Sequence, residues 1–496
     1  MTLKLYNSLT NQVEDFVPVI TGKVRIYNCG PTVYSYQHIG NFRSFVQWDL
    51  LRRYLIHKGL DVIQVMNITD VGHLTDDGDD GEDKMEAAAK KEKKHPLEIA
   101  EFYTKQFLED WKTLNLMEPE FRPKATETIP EMIAMVEQLL KDGFAYEAGG
   151  NVYFDISSFP EYGKLSGNSL DKLTKRRVDP DPNKKSPHDF VLWFSNSKFE
   201  NHILKWDSPW GEGYPGWHME CSAMSAKFLS DAFVDGKFHP EKFETIDIHT
   251  GGEDNKFPHH ECEIAQTECA TKKLFSKYWL HAAFMMSEGQ KMSKSIGNVY
   301  NVFDLVKEGF DPRAIRYLLL ATHYRMQMNF TKDGIKAAET ALSRVDETLR
   351  KLNFIKEERA YSERLSLYAH GILLGVEKEL DNDLNISGAL AALFEGVKEI
   401  NKKLQEDKVG KDQAEEILDI IFKADTIFGL FPKSILEKED LPQEIVDILE
   451  KRREARENKD WAASDSLRDE LTKLAYEVKD TKEGQECRNL VKNINN

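Results

Sequence analysis

The strongest constraint on this chain is a strand–helix–strand pattern within its first 70 residues. Lys23 to Cys29 (KVRIYNC) reads as a buried strand stopping at a Gly30-Pro31 turn. Phe45 to His57 places apolar residues on one helical face, and Asp61 to Met66 (DVIQVM) reads as the next strand. Strands joined through a helix run parallel, and a parallel sheet needs helices on its faces. An α/β fold with a parallel sheet is therefore expected.

The pattern is then interrupted. Residues 118–215 carry Pro and Gly punctuation and short strand-like pieces such as Asn151 to Ile156, so they read as an insertion. Parallel patterning is expected to resume at Ile246 to Thr250 and Phe284 to Met286. From Pro312 onward the pattern is helical, with apolar residues three and four apart in Ala337 to Lys351, Glu363 to Leu380 and Ile386 to Leu404. Pro432 and the charged stretch Glu437 to Asp440 read as a linker before a compact module starting at Leu441. The expected division is 1–117 with 216–311 as the sheet domain, 118–215 as the insertion, 312–432 as a helical region and 441–496 as the last domain.

Bulk properties narrow the function. No run approaches the roughly 20 apolar residues that span a bilayer, and Met1 to Asp15 lacks a signal-peptide pattern. No membrane association and a cytoplasmic location are the resulting expectations. Five scattered cysteines suit reduced thiols or metal ligands better than a disulfide framework. The net charge of −17 argues against general nucleic-acid binding, so an RNA partner must be met by local basic patches. Lys175, Arg176 and Arg177, with Lys184 and Lys185, form one such patch, or simply a solvated loop. The acidic stretch Asp76 to Asp83 does not fit a calcium loop.

Two motifs carry nucleotide chemistry. His38-Ile39-Gly40-Asn41 follows the first strand and opens a helix. Ligands of open α/β sheets bind beyond the carboxyl ends of the strands, where helix N-termini offer unpaired N–H groups. Gly40 would admit a nucleotide ring close to the backbone. His38 and Asn41 could donate to a phosphoryl group in an in-line displacement. A structural histidine is the plainer alternative. Lys291-Met292-Ser293-Lys294-Ser295 is a cationic loop able to close over a triphosphate and neutralise a pyrophosphate leaving group. Neither a Walker loop nor a GxGxxG fingerprint is present, which argues against P-loop and dinucleotide enzymes.

A third constellation suits a metal. Cys29 ends the first strand, Cys221 sits in GWHMECSAM, and His259 and Glu263 lie one turn apart after Pro258. Two thiolates, an imidazole and a carboxylate make a zinc shell. Spacing alone leaves buried structural cysteines equally open, and His260, Glu261 and Cys262 compete as ligands.

The two motifs, in this order and some 250 residues apart, resemble the signatures of class I aminoacyl-tRNA synthetases. Together with Asn67-Ile68-Thr69-Asp70 and Asp189-Phe190-Val191-Leu192-Trp193, the third constellation resembles that of cysteinyl-tRNA synthetases. The similarity runs from Leu5 to the C-terminal module. It implies a Rossmann-like catalytic domain with an insertion, then a stem-contact region and helical bundle, then an anticodon-binding domain. The implied reaction joins L-cysteine and ATP, with Mg2+, into cysteinyl-adenylate and transfers cysteine to the 3′ end of tRNA(Cys).

The resemblance also implies site residues. His38, Asn41, Lys291 and Lys294 would be catalytic, with Gly40, His38 and Lys294 binding ATP. One Zn2+ per chain would sit on Cys29, Cys221, His259 and Glu263. Thr69, Trp217 and Asp254 would face the substrate cysteine, although a structural Trp and a capping Asp are equally open. Arg456, Trp461, Asp465, Arg468 and Asp480 would read the anticodon; a core Trp461 and helix-surface charges are the alternatives. A monomer is the family expectation. Thiol–zinc coordination explains the selection, because shape discriminates cysteine from serine weakly and zinc favours thiolate. No editing domain is then needed.

The chain departs from the family pattern at Asn41, where a second His is usual, in His249 to Asn255, and at Cys487. The module from Leu441 has 11 Lys and Arg against 13 Asp and Glu, a net charge of −2. A small-molecule cysteine ligase would not need that module. A non-catalytic zinc protein binding RNA would not need both signatures.

Overall fold

The computed structural model describes residues 2–71, 84–168, 181–196, 203–293, 296–406, 408–437, 442–474, 476–481 and 484–489. Asp76 to Asp83, Lys175 to Arg177, Lys294 and Ser295 lie outside the described residues.

Four parallel strands form the central sheet in the spatial order Ser276–Ala282, Ile246–Gly252, Lys23–Asn28, Asp61–Met66. The chain crosses from Lys23–Asn28 to one edge through the helix Ile39–His57. It crosses from Ile246–Gly252 to the other edge through the helix His259–Thr271. The order reverses between the two central strands, which opens a crevice at their carboxyl ends. Cys29 and Gly252 stand at that crevice.

One expected strand belongs elsewhere. Phe284 to Met286 corresponds to Met285–Ser287, which pairs with Gln290–Lys291 and Met328–Phe330 outside the parallel sheet. The fourth parallel strand is Ser276–Ala282 (SKYWLHA). Its Lys and His obscure an apolar run, yet His281 is buried and bonded to Ser8 and His260. Buried polar groups are tolerated when they are bonded.

The insertion holds a four-stranded antiparallel sheet of Ala145–Ala148, Asn151–Phe154, Phe190–Phe194 and Tyr214–Pro215. Asp189 accepts from Tyr146 Oη and from the backbone of Ile156 and Ser186, and so ties this sheet together.

Helices Lys332–Phe354, Glu363–Leu380, Ile386–Gln405 and Lys411–Phe428 form the helical region. Thr331, Ser362 and Asn385 cap three of their N-termini with side-chain oxygens. Arg316 fastens this region to the signature helix. It is 1% exposed, pairs with Asp49, and donates to the carbonyls of Phe428 and Leu114. Burial alone would raise the Asp49 carboxyl, but Arg316 and Arg53 hold it below its usual value. Removing one partner of such a buried pair costs about 3–5 kcal/mol.

The last module pairs helices Gln443–Glu457 and Trp461–Lys473 with a hairpin of Tyr476–Thr481 and Gly484–Asn489. Ile445, Ile448, Leu471, Tyr476 and Val478 form its small core. Among the described residues, no helix is long and apolar enough to cross a membrane.

Candidate active site and metal cluster

His38 caps the helix Ile39–His57. Its Nδ1 accepts from the Asn41 backbone N–H at 3.2 Å, while Asn41 Oδ1 accepts from His38 N at 3.2 Å. The Asn41 in place of a second His therefore closes a capping box. With its oxygen engaged, the Asn41 amide presents its NH2 as the donor.

The second signature meets the first. A Cβ added to Gly40 would lie 2.5 Å from Met292 Cε and 3.0 Å from His38 Nδ1, so Met292 rests against this glycine and a larger residue would make it shift. Ile39 N donates to Tyr300 O at 2.8 Å, which joins the segments again. Asn298, 6% exposed, clamps the loop. Its Oδ1 accepts from Ser293 N at 2.8 Å, and its Nδ2 donates to the carbonyls of Ser287 (3.0 Å) and Lys291 (3.2 Å). Lys291 is exposed at the loop entrance.

The metal constellation converges from three segments. Cys29, Cys221, His259 and Glu263 each bring a donor atom, all within 4.8 Å of one another. Cys29 Sγ lies 4.0 Å from Cys221 Sγ and 3.8 Å from Glu263 Oε1. His259 Nε2 lies 3.5 Å from Cys221 Sγ and 3.0 Å from Glu263 Oε1. Tetrahedral zinc with bonds of about 2.0–2.3 Å requires donor–donor edges of about 3.3–3.8 Å. The donor set fits such an ion in type, and its distances of 3.0–4.0 Å lie around that range.

The four donors also shift one another's ionisation, and a metal binding there would displace protons from His259 and Cys29. Burial would raise the Glu263 carboxyl, but His249 and His259 override it and bring it to about 2. Burial would lower His259, but Glu263 and Cys221 raise it to about 10. Burial also opposes ionisation of Cys221, yet its bond from Cys29 and the nearby His259 bring that thiol below its usual value. Burial pushes the Cys29 thiol well up.

A layer of imidazoles surrounds the donors. His249 Nε2 bonds Glu263 Oε2 at 2.8 Å and stacks on Trp279 with ring centroids 4.4 Å apart. His218 Nδ1 lies 2.8 Å from His259 Nδ1. Cys29 Sγ lies 3.1 Å from His260 Nε2, His260 Nδ1 lies 2.8 Å from His281, and His281 bonds Ser8. Burial and the neighbouring imidazoles push His260 well below its usual range. Such partners orient metal ligands. The sequence carried a signal for them: six of its 14 histidines fall between His218 and His281.

The competing residues separate. Glu261 accepts from the backbone of Leu165 and Ser166, and Cys262 meets Tyr162 Oη at 3.3 Å, so both serve the insertion. His260 does reach the cluster, and Cys29, His249, His260 and Glu263 form a second possible donor set.

The expected substrate residues divide. Trp217 covers His259 with ring centroids 4.3 Å apart. Thr69 is buried, donates to Glu220 at 2.7 Å and accepts from Asn67 at 3.0 Å. Asn67 Oδ1 in turn lies 4.0 Å from Cys221 Sγ. Asp254 is exposed on the short turn Glu253–Lys256 and lies outside the donor cluster.

In the last module, Trp461 is 56% exposed and so is not a core residue. The Arg456 guanidinium lies 5.5 Å from its ring centre. Arg456 and Arg452 both pair with Asp480, and Arg468 pairs with Asp465 at 3.1 Å. Lys185 is engaged by Asp155 at 3.3 Å and by the Tyr146 ring, as a folded loop requires.

Comparison with known proteins matches these regions. The family described as tRNA synthetases class I (C) catalytic domain matches residues 15–340. The DALR domain matches 375–432, and the cysteinyl-tRNA ligase anticodon binding domain matches 438–488. The cysteine–tRNA ligase of Chlorobaculum tepidum is 42% identical, over 97% of this chain and 98% of its own. That of Thermus thermophilus is also 42% identical, over 98% of this chain and 99% of its own. In fold, the chain is similar to the Mycobacterium tuberculosis methionyl-tRNA synthetase in complex with methionyl-adenylate. The TM-score is 0.60 at 14% identity, covering 86% of this chain and 94% of the other. The chain belongs to the cysteine–tRNA ligases, a family of class I aminoacyl-tRNA synthetases that join cysteine to tRNA.

Proposed function

We propose that this ligase activates L-cysteine with ATP to cysteinyl-adenylate in the crevice between His38 and the Cys29 cluster. It then passes cysteine to the 3′ end of tRNA(Cys). The observation that carries this reading is the convergence of four donor atoms within 4.8 Å, together with the meeting of the two signatures at Gly40 and Met292.

Cys29, Cys221, His259 and Glu263 would hold one Zn2+, which would supply a coordination position that takes a thiolate and refuses a hydroxyl. Trp217 walls the cluster, and Thr69, fixed by Glu220 and Asn67, borders Cys221. Asp254 is assigned to the substrate ammonium, which its exposed turn could meet when substrate closes the crevice. His38 and Asn41 donate to the α-phosphate of ATP with its Mg2+, and Gly40 admits the nucleotide. Lys291 and Lys294 neutralise the departing pyrophosphate, and Asn298 fixes the loop that carries them. Arg456, Trp461, Asp465, Arg468 and Asp480 read the anticodon from an open face, by stacking and edge hydrogen bonds. The assigned division is 1–117 with 216–311 for catalysis, 118–215 as the connective insertion, 312–432 for the stem and bundle, and 441–496 for the anticodon. We assign a monomer in the cytoplasm.

Cysteine-dependent ATP–pyrophosphate exchange, tRNA charging and metal analysis test this reading together. Exchange, charging and about one Zn2+ per chain are expected. Absence of exchange overturns the adenylate step. Metal retained in Cys221→Ser but lost in His260→Ala would move the ion to the donor set of Cys29, His249, His260 and Glu263.

A further inference from the structure

A cluster of rings stands at the surface two residues before His38. Tyr36 meets Tyr103 edge-on at 5.2 Å and Phe102 edge-on at 6.3 Å. Its plane lies within 9° of the Phe303 plane, with centroids 6.4 Å apart. Tyr36, Phe102 and Phe303 are 39%, 44% and 42% exposed. Large apolar side chains exposed singly need no explanation, but a contiguous group marks an interaction site.

The rings come from three segments. Tyr36 precedes the first signature, Phe102 lies on the helix Pro96–Thr113, and Phe303 lies on the helix Val302–Lys307 that follows the second signature. None of the three fills the protein core, and none touches the metal cluster.

Cations frame the rings. Lys94 Nζ lies 5.1 Å from the Phe102 ring centre and Lys307 Nζ 6.0 Å from that of Phe303. Lys90 to Lys94 contains four lysines and one acid, in a chain of net charge −17. That acid, Glu92, is taken up by Tyr103 Oη at 2.6 Å and by Lys94 at 3.1 Å. Lysines therefore border the rings, alongside the acids Glu98, Glu101 and Asp304.

Rings interleaved with cations bind unpaired nucleic acid. Bases stack on the rings whatever their sequence, and the cations meet the phosphates. The family activity brings one such strand here, because the 3′ end of tRNA must reach the activated carboxyl group. We propose that Tyr36, Phe102 and Phe303 form a stacking platform for the unpaired 3′ strand of tRNA, with Lys94 and Lys307 meeting its phosphates. The proposal rests on the reading above that His38 marks the activation site.

The test uses the full chain with Phe102→Ala and Phe303→Ala combined, and Lys94→Glu separately. KM for tRNA in charging should rise about 10-fold in the double variant, with cysteine-dependent exchange within about twofold of the parent. Phe102→Tyr should keep the parent KM, since a ring remains. Tested by direct binding, tRNA stripped of its unpaired 3′ strand should bind parent and double variant alike, whereas intact tRNA should prefer the parent. Unchanged charging overturns the platform. So does an equal loss of affinity for intact and stripped tRNA, or exchange that falls together with charging. If the parent itself shows no exchange, the activation reading fails instead, and the comparison of intact with stripped tRNA still decides the platform.

Discussion

Cys29, Cys221, His259 and Glu263 span more than 230 positions of sequence, and three of the four are buried. Arg456, Trp461, Asp465, Arg468 and Asp480 fall within 25 positions, and their side chains are 36–63% exposed. On the function proposed above, the two regions answer different physical demands. Selecting one small thiol calls for charges kept out of water, where electrostatic interactions are strong and pre-set. Meeting an RNA loop calls for side chains that extended bases can reach from solvent.

A related contrast separates two carboxyls outside the metal cluster, Asp110 on the helix Pro96–Thr113 and Asp480 in the last module. Burial pushes Asp110 up to about 7, and its Oδ2 has no hydrogen-bond partner among the described residues. Asp480 lies below its usual value because Arg452 donates to both of its oxygens, at 2.8 and 3.0 Å. A nearby cation decides the sign at Asp480, and desolvation decides it at Asp110.

The strongest test of this contrast is Cys221→Ser. Metal content should fall from about one ion per chain toward zero. Cysteine-dependent exchange should fall on the order of 10³-fold, while the melting of the C-terminal module stays unchanged. Retained metal would show that the buried region is not a single site.

Next is Arg452→Ala. It removes the buried partner of Asp480, which Arg456 still pairs, and should destabilise the module by about 1–2 kcal/mol. Denaturant melting should show an early transition, and tRNA charging should fall while exchange persists. A matching loss of exchange would mean that the two regions are not independent.

His249→Gln should weaken metal affinity about 10–100-fold, as loss of an orienting partner does. Competition with a chelator measures it. An unchanged affinity would remove His249 from the support of Glu263.

Trp461→Ala should raise KM for tRNA about 10-fold through lost stacking and leave stability within about 0.5 kcal/mol, since the ring is exposed. A large stability loss would make Trp461 structural.

The smallest effect on activity is expected for Asp110→Asn. Because the folded carboxyl titrates near 7 and the unfolded one near 3.9, the folded state binds the extra proton between those values. This group's contribution to stability therefore falls as pH rises from about 4 to 7. Asp110→Asn should flatten that slope and stabilise the protein by about 1–2 kcal/mol at pH 8, as measured by denaturant melts across pH. A slope unchanged by the substitution would deny the burial effect.

Much of the architecture was legible residue by residue. The strand Asp61–Met66 and the helix Glu363–Leu380 have the ends expected from their periodicity. The first helix begins earlier than its apolar face suggested, at Ile39. There a cap formed by His38 and Asn41, rather than hydrophobicity, starts the helix. The strand Ser276–Ala282 was missed because its polar residues are satisfied only by distant partners, Ser8 and His260 among them. The competition among His259, His260, Glu261 and Cys262 could not be resolved on spacing either. Neighbours on a helix point about 100° apart, and only the packed surroundings decide which face meets Cys29.

The sequence by itself determined the two nucleotide signatures, the alternation that demands a parallel sheet, and the residue types capable of holding a thiol-selective metal. Those are local properties, written in periodicity and side-chain chemistry. Only the tertiary structure decided that Cys29, Cys221, His259 and Glu263 share one buried point, that an imidazole layer surrounds them, and that Met292 rests on Gly40. Such convergence depends on how strands, crossovers and caps position residues hundreds of places apart, and no local pattern carries that information.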